Sequence, residues 1–384
     1  MGERHFNNLD HAAAALPGRW YYDPAHYERE LAAIWYRQWL FVCRSEAISG
    51  PLAFRVFNIG TQGVVLVRDD AGTLRAFFNT CRHRGSTLCT QAQGRLGVKL
   101  ITCPYHNWSY ALDGRLARTP NWTPGPDFDP SAHGLFPVAV REWRGFIFVN
   151  LHAGAPALEQ ALDPSPDDLK NWPLEALVTV HTRERKLHCN WKIFWENFLE
   201  CYHCPNIHKE LCELVPIYKR SLMDEHDAPD WQEHANEDDP AYRGGIRRDA
   251  QTWSGDGLVH GPRFEGLSED ELRRGHTFLN IWPTMFIVAH ADYVRLVAIL
   301  PDGPEHTLVR TQYLVQPSAA VQMQPHLDNI VSFVARVMDE DAAVCELNQQ
   351  GLRALPFEQG VLVPQEYEVR RFHDWVGAQL DGPG

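Results

Sequence analysis

Two short segments, Cys81-Arg82-His83-Arg84-Gly85 and Cys103-Pro104-Tyr105-His106, each set a histidine close behind a cysteine, and nineteen residues separate His83 from Cys103. A thiolate and an imidazole on one tight turn can reach the same inorganic unit, and Gly85 and Pro104 supply turn geometry. Two such pairs suit a [2Fe-2S] cluster in which two thiolates hold one iron and two imidazoles the other. That ligation lifts the reduction potential well above an all-cysteine cluster, so the chain reads as a redox protein. Tetrahedral Zn²⁺ also accepts two Cys and two His. Zinc fingers usually place Cys with Cys and His with His, whereas each pair here is mixed.

A second constellation lies further on. The apolar stripe Leu327, Val331, Val334, Met338, Cys345 marks the buried face of a helix from about His326 to Gly351. Asp341 falls on that stripe. A buried carboxylate without a partner costs at least several kcal/mol, so Asp341 needs an arginine, backbone donors or a metal. Its neighbours Asp339 and Glu340 point elsewhere and read as solvated. The companions sit in Asn197-Phe198-Leu199-Glu200-Cys201-Tyr202-His203-Cys204-Pro205-Asn206-Ile207-His208, where Trp191 to Cys204 reads as a helix. Histidines five apart on an unbroken helix diverge by about 140°. Pro205 removes that objection by bending the chain between them. His203, His208 and Asp341 then make the two-histidine, one-carboxylate set that leaves open positions on Fe(II). Cys201 and Cys204, a C-x-x-C, read as packing.

The elements that must position these residues fall into two groups. From about Trp39 to Leu151 the chain shows short strands, Phe54 to Phe57, Gly63 to Arg68, Leu74 to Asn79, Val98 to Ile101, Trp108 to Ala111 and Gly145 to Asn150, parted by turns such as Asp69-Asp70-Ala71-Gly72. A Pro-rich connector runs from Pro156 to Pro173. Beyond it come a strand from Val178 to Leu187 and a polar excursion from Arg220 to Gly266, expected over an active-site mouth. Antiparallel strands then follow at Phe278 to His290, Tyr293 to Leu300 and Thr307 to Gln316. The fold class is α+β, with domains at 1–38 (a segment packed on the catalytic domain), 39–151 (the cluster) and 152–384 (the second iron).

The chain has 384 residues, enough for two cores. Its nine cysteines follow no disulfide framework, its N-terminus carries no export pattern, and no segment nears the roughly 20 apolar residues of a membrane span, so a soluble, cytoplasmic protein is expected. The net charge of -13 argues against nucleic acid. Between Arg75 and Arg118, however, seven basic residues face one acid, Asp113. This stretch is either an ordinary solvated face or a surface that steers an acidic electron donor.

The two cluster loops, the Glu-x-x-His-x-x-x-x-His run after Asn190-Trp191-Lys192, and Glu340-Asp341 followed by Glu346 and Gln349 resemble the catalytic α subunit of Rieske non-haem iron oxygenases, the ring-hydroxylating dioxygenase family. The resemblance covers nearly the whole chain. It implies a Rieske β-sandwich joined to a helix-grip, START-like catalytic domain, in which an antiparallel sheet wraps a long C-terminal helix. It also implies Cys81 and Cys103 on one cluster iron, His83 and His106 on the other, and a mononuclear iron on His203, His208 and Asp341. Glu200 matches the acidic residue that links a cluster histidine of one subunit to an iron histidine of the next; its plain alternative is to orient His203 within one subunit. Asn197 is expected near the iron. A homotrimer, and a separate flavin/iron-sulfur reductase fed by NAD(P)H, with or without a ferredoxin, are implied.

Glu200-Cys201-Tyr202-His203-Cys204 resembles the branch that oxidises glycine betaine, choline, carnitine and related quaternary amines by N-demethylation or monooxygenation. Its usual His-Pro-Glu is replaced here by His208-Lys209-Glu210. Hydroxylation of an aromatic ring is the alternative, and an electron-transfer Rieske protein with no second iron the remote one. An aromatic cage for a cation would draw on Trp195, Trp282, Phe286 and Tyr293, each of which could equally be core packing.

Overall fold

A computed structural model describes residues 7–162 and 166–382. Residues 1–6 of the expected N-terminal segment, 163–165 of the expected connector, and 383–384 lie outside the described residues. The chain forms two compact units, Trp35–Leu162, and Met1–Ile34 together with Asp163–Gly384.

The first unit is built on antiparallel β-strands, with only short helical turns between them. Strands β2 (Leu40–Arg44), β3 (Ala53–Ile59), β4 (Gln62–Arg68), β5 (Leu74–Phe78), β6 (Gln93–Arg95), β10 (Pro137–Trp143) and β11 (Phe146–Asn150) pair in the order β2-β11-β10-β5-β4-β3-β6. A small sheet of β7 (Leu100–Thr102), β8 (Ser109–Ala111) and β9 (Leu116–Arg118) completes it. Its core joins Phe54, Val65 and Phe77 from the large sheet to Ile101 and Tyr110 from the small one. β2, β6, β9 and β10 gave no distinct sequence signal: β6 and β9 are three residues long, and β2 is buried at every position, which erases alternation.

In the second unit, β12 (Val178–Leu187), β13 (Thr277–Ile281), β14 (Met285–Ala289), β15 (Val294–Pro301) and β16 (Thr307–Val315) form an antiparallel sheet in the order β12-β16-β15-β14-β13. The strand expected from Phe278 to His290 is a hairpin, because Pro283 has no N–H for a ladder and Thr284 N instead bonds to Ile281 O at 3.0 Å. A helix spans Leu327–Gly351. Its deepest stripe is Leu327, Ile330, Phe333, Val334 and Val337, while Val331 and Met338 pack half-buried beside it. A C-terminal helix, Tyr367–Asp381, and a ribbon of β1 (Ala13–Pro17) with β17 (Gln359–Leu362) also belong to this unit, and neither was expected. Among the described residues, no helix is long and apolar enough to cross a membrane.

The short helix that precedes the first iron-ligand candidates, Trp191–Phe198, starts at Asn190, whose side chain accepts from Lys192 N at 3.0 Å. It is clamped by a buried ion pair. Lys192 Nζ bonds to Glu30, to Asn190 Oδ1 at 2.9 Å and to Trp20 O at 3.0 Å, and the Lys192 and Glu30 side chains are wholly buried.

Candidate metal centres

In the first unit the two Cys-His loops have matching turns. Gly85 N bonds to Cys81 O at 2.9 Å and Cys81 N to Ser86 O at 2.8 Å; Asn107 N bonds to Cys103 O at 3.1 Å and Cys103 N to Trp108 O at 2.8 Å. Gly85 and Asn107 take the left-handed backbone, with φ of 76° and 59°, so each loop folds back on itself. Cys81 and Cys103 are consequently buried and His83 and His106 exposed. The imidazole centroids stand 4.7 Å apart.

Arg82 ties the first loop down, donating to Gly134 O at 2.6 Å and Ala132 O at 3.1 Å and lying over the Phe136 ring. Burial pushes the Cys81 thiol up, although the Tyr110 hydroxyl, 3.2 Å from its sulfur, pulls the other way. Two buried cysteines and two exposed imidazoles fit a [2Fe-2S] cluster, which Cys81, Cys103, His83 and His106 would hold and which would lower the thiol pKa values on binding.

In the second unit the site departs from the expected geometry in an informative way. The helix ends at Phe198 instead of running to Cys204, and Pro205 does not break it. Pro205 sits in the first turn of a separate one-turn helix, Cys204–Ile207, with His203 before it and His208 after it. The chain breaks at Leu199 to Tyr202, where Glu200 accepts from the backbone N–H groups of Tyr202 and His203. The two imidazoles thus face inward from opposite ends of one short turn.

Their Nε2 atoms lie 3.2 Å apart, and Asp341 Oδ1 is 2.8 Å from His208 Nε2 and 3.5 Å from His203 Nε2. Three donors on one face of an ion, with bonds of about 2.1 Å at right angles, would stand roughly 3 Å apart. The donors fit a divalent ion. Cys204 Sγ is 4.0 Å from His203 Nε2, but it is bonded to Cys201 in a disulfide and is no ligand. Both cysteines are buried in the core, as the packing reading expects, and the disulfide between them was not expected.

Each imidazole has a carboxylate behind it. Glu200 Oε1 is 2.6 Å from His203 Nδ1 and Glu340 Oε2 is 2.8 Å from His208 Nδ1. Carboxylates only accept, so both Nδ1 atoms carry the proton and both Nε2 lone pairs face the ion. Glu340 is exposed, as expected, but it turns back onto His208 instead of pointing elsewhere, a role that Asp341's place on the buried stripe concealed. Asp339, the other flanking acid, takes Arg183 and Arg185. Burial opposes ionisation of Asp341, yet the two imidazoles hold its carboxyl below the ordinary range; burial likewise opposes protonation of His203, whose pKa Asp341 and Glu200 nevertheless raise to about 10. A cluster that draws positive charge this strongly favours a cation. Asn197 Nδ2 is 3.4 Å from His203 Nε2.

A cavity of about 60 Å³ opens on these donors, walled by Phe278, Phe286, Tyr218, Trp253 and Arg295. Of the four aromatic candidates only Phe286 lines it. Trp195 donates to Pro283 O and packs near Trp282 and Phe372, and Tyr293 is spent on Trp253 O, so these three serve the core. Trp253 comes from the polar excursion, whose lack of periodicity concealed it. On the other side of His203, a larger cavity of about 310 Å³ is lined by Glu196, Glu200, Glu366 and His373.

The family described as the ring hydroxylating alpha subunit (catalytic domain) matches residues 174–382, and the Rieske [2Fe-2S] domain matches 38–137. The glycine betaine monooxygenase oxygenase subunit of Chromohalobacter salexigens is 32% identical, across 94% of this chain and 84% of its own length. The chloroplastic choline monooxygenase of Beta vulgaris is 28% identical, across 96% of this chain and 77% of its own length. A solved quaternary ammonium Rieske monooxygenase superposes with a TM-score of 0.73 at 20% identity, over 96% of both chains. With both domain matches beside these two candidate donor sets, the chain belongs to the ring-hydroxylating α-subunit family, the terminal oxygenases that pair a Rieske [2Fe-2S] cluster with a mononuclear non-haem iron.

Proposed function

We propose that this oxygenase acts on a small quaternary amine, hydroxylating an N-methyl or neighbouring C–H bond, with loss of formaldehyde where a methyl group is attacked. The observation that carries the reading is the cavity beside His203, His208 and Asp341. Its volume of about 60 Å³ accommodates on the order of five water-sized groups, the scale of a compact aliphatic cation. Aromatic faces at Tyr218, Trp253, Phe278 and Phe286 suit the alkyl shell of such a cation. The named substrates of the similar proteins, glycine betaine and choline, agree with it.

In this reading Cys81 and Cys103 hold one cluster iron, His83 and His106 the other, and His203, His208 and Asp341 the mononuclear iron. The bound irons supply the one-electron chemistry that activates dioxygen. Glu200 and Glu340 fix the imidazole tautomers, Asn197 lies beside the ion-facing edge of His203, and the aromatic walls keep water from the substrate. Glu200 also lines the larger cavity, where a cluster histidine of a neighbouring copy would dock in a homotrimer. Electrons come from NAD(P)H through a separate cytoplasmic reductase.

The test supplies the iron-loaded protein with a competent reductase and NADH, and follows formaldehyde and NADH with glycine betaine, choline and carnitine beside naphthalene and benzoate. Substrate-dependent NADH use with formaldehyde release from a quaternary amine is expected. Turnover confined to the aromatic compounds would overturn the proposal. Replacing Glu200 by Gln should keep both metals and uncouple cluster oxidation from product formation.

A further inference from the structure

Among the described residues, Arg295 is the one lining residue of the iron cavity whose charge the protein leaves uncommitted. It lies on β15, the central strand, in register with Val288 on β14 and Tyr313 on β16, and Val288 in turn is opposite Phe278 on β13. Residues opposite one another share a face of the sheet. Arg295 therefore projects from the same face as Phe278, and both line the cavity with His203, His208 and Asp341.

The side chain is 3% exposed, and its Nε has no hydrogen-bond partner. Among the described residues no carboxylate pairs with it, and its one close partner is the Trp253 ring, 5.8 Å from the guanidinium carbon. Trp253 Nε1, also buried and lining the cavity, is likewise without an acceptor. The two carboxylates on the cavity wall are already engaged, Asp341 by both imidazoles and Glu200 by His203 and two backbone N–H groups.

A buried guanidinium without a counter-charge is unfavourable, and a planar fork of donors is built for a carboxylate. Groups around it supply no anion. Burial, with Arg295 adding to the effect, keeps the neighbouring His290 neutral, and burial, Arg274 and Arg295 together push His276 down to about 4. Tyr218, Tyr293 and Tyr313 are uncharged phenols.

We propose that Arg295, with Trp253 Nε1 beside it, anchors the carboxylate of a small zwitterionic substrate and so points that substrate's quaternary ammonium toward the iron side of the cavity. The inference rests on the quaternary-amine reading above and narrows it to betaines. The ion held by His203, His208 and Asp341 offsets the two carboxylates, so Arg295 is the standing charge of the cavity and a zwitterion is oriented by its carboxylate end. A cation that lacks a carboxylate, such as choline, meets the repulsion of Arg295 without compensation.

The test uses the iron-loaded enzyme and three probes: glycine betaine, choline, and 3,3-dimethylbutanoate, which keeps the carboxylate and replaces the ammonium by a neutral tert-butyl group. Binding is measured by anaerobic calorimetry, and kcat and KM for the two amines separately. The wild type should bind glycine betaine at least tenfold more tightly than choline. Arg295→Met should weaken glycine betaine and 3,3-dimethylbutanoate by about 100-fold, leave choline unchanged or tighter, and raise KM for glycine betaine more than it lowers kcat. Arg295→Lys should recover part of the loss. Equal carboxylate affinity in Arg295→Met and wild type, no carboxylate binding by the wild type, or a wild type that prefers choline would each overturn the anchor. The last two comparisons need no variant, so they stand even if Arg295→Met fails to fold. Arginine-dependent binding of 3,3-dimethylbutanoate without turnover of either amine would instead support the anchor and sink the quaternary-amine reading.

Discussion

Glu340 offers the sharpest test of how the mononuclear site is held. Replacing it by Ala removes the acceptor 2.8 Å behind His208 Nδ1 without touching any of the three ion-facing atoms. A hydrogen bond to a charged acceptor contributes about 1.5–3 kcal/mol, and loss of a carboxylate behind a metal-bound histidine costs 10–100-fold in affinity. Glu340 is 44% exposed while His208 is 2% exposed, so water replaces part of the lost interaction and the lower end applies, about 1.5 kcal/mol or tenfold.

The assay is anaerobic competition for Fe(II) against a coloured ferrous chelator. Cluster absorbance counts chains, since the Rieske unit should keep its two irons of the three in the holoenzyme. Glu340→Gln, whose amide oxygen still accepts from Nδ1, should lose less than Glu340→Ala. Iron affinity of Glu340→Ala within twofold of the wild type would refute the reasoning that the carboxylate fixes this imidazole.

Lys192→Met should destabilise the protein by about 3–5 kcal/mol, because Glu30 then stays buried without its cation, and adding Glu30→Met should recover most of that loss in urea denaturation. Alkylation after denaturation should modify seven thiols without reductant and all nine with it, since Cys201 and Cys204 are disulfide-bonded; nine in both cases would remove the disulfide. His276 is held neutral, with its pKa pushed from 6.5 down to about 4 by burial first and by Arg274 and Arg295 second. The unfolded chain therefore binds the extra proton between those values. Stability present above pH 6.5 is lost as pH falls toward 4, by at most about 3 kcal/mol and less because His276 is only partly shielded from water. His276→Gln should flatten that slope in urea midpoints taken from pH 7 to 4; an unchanged slope would count against the assignment.

Both candidate ligand sets stand out in the chain because each depends on residue type at short spacing. A mixed Cys-His pair on a turn, or a carboxylate on an apolar helical stripe, carries its chemistry in a few consecutive positions. β12 and the helix ending at Gly351 were legible for the same reason, since alternation and helical periodicity over ten or more residues are local. The β1–β17 ribbon was not, because it joins residues about 345 apart and each partner is only four or five residues long.

What the sequence by itself determined, then, is the inventory: two metal sites, the antiparallel sheet with its closing helix, and the oxygenase family. Tertiary structure decided how those parts are aimed. It ended the ligand helix at Phe198, put Glu340 behind His208, joined Cys201 to Cys204, exchanged Trp195, Trp282 and Tyr293 for Tyr218, Trp253 and Phe278 at the cavity, and left Arg295 facing it unpaired. The physical reason is that a side chain's partner is set by strand register and by loops that return from far along the chain, and neither leaves a periodic mark on the residues themselves.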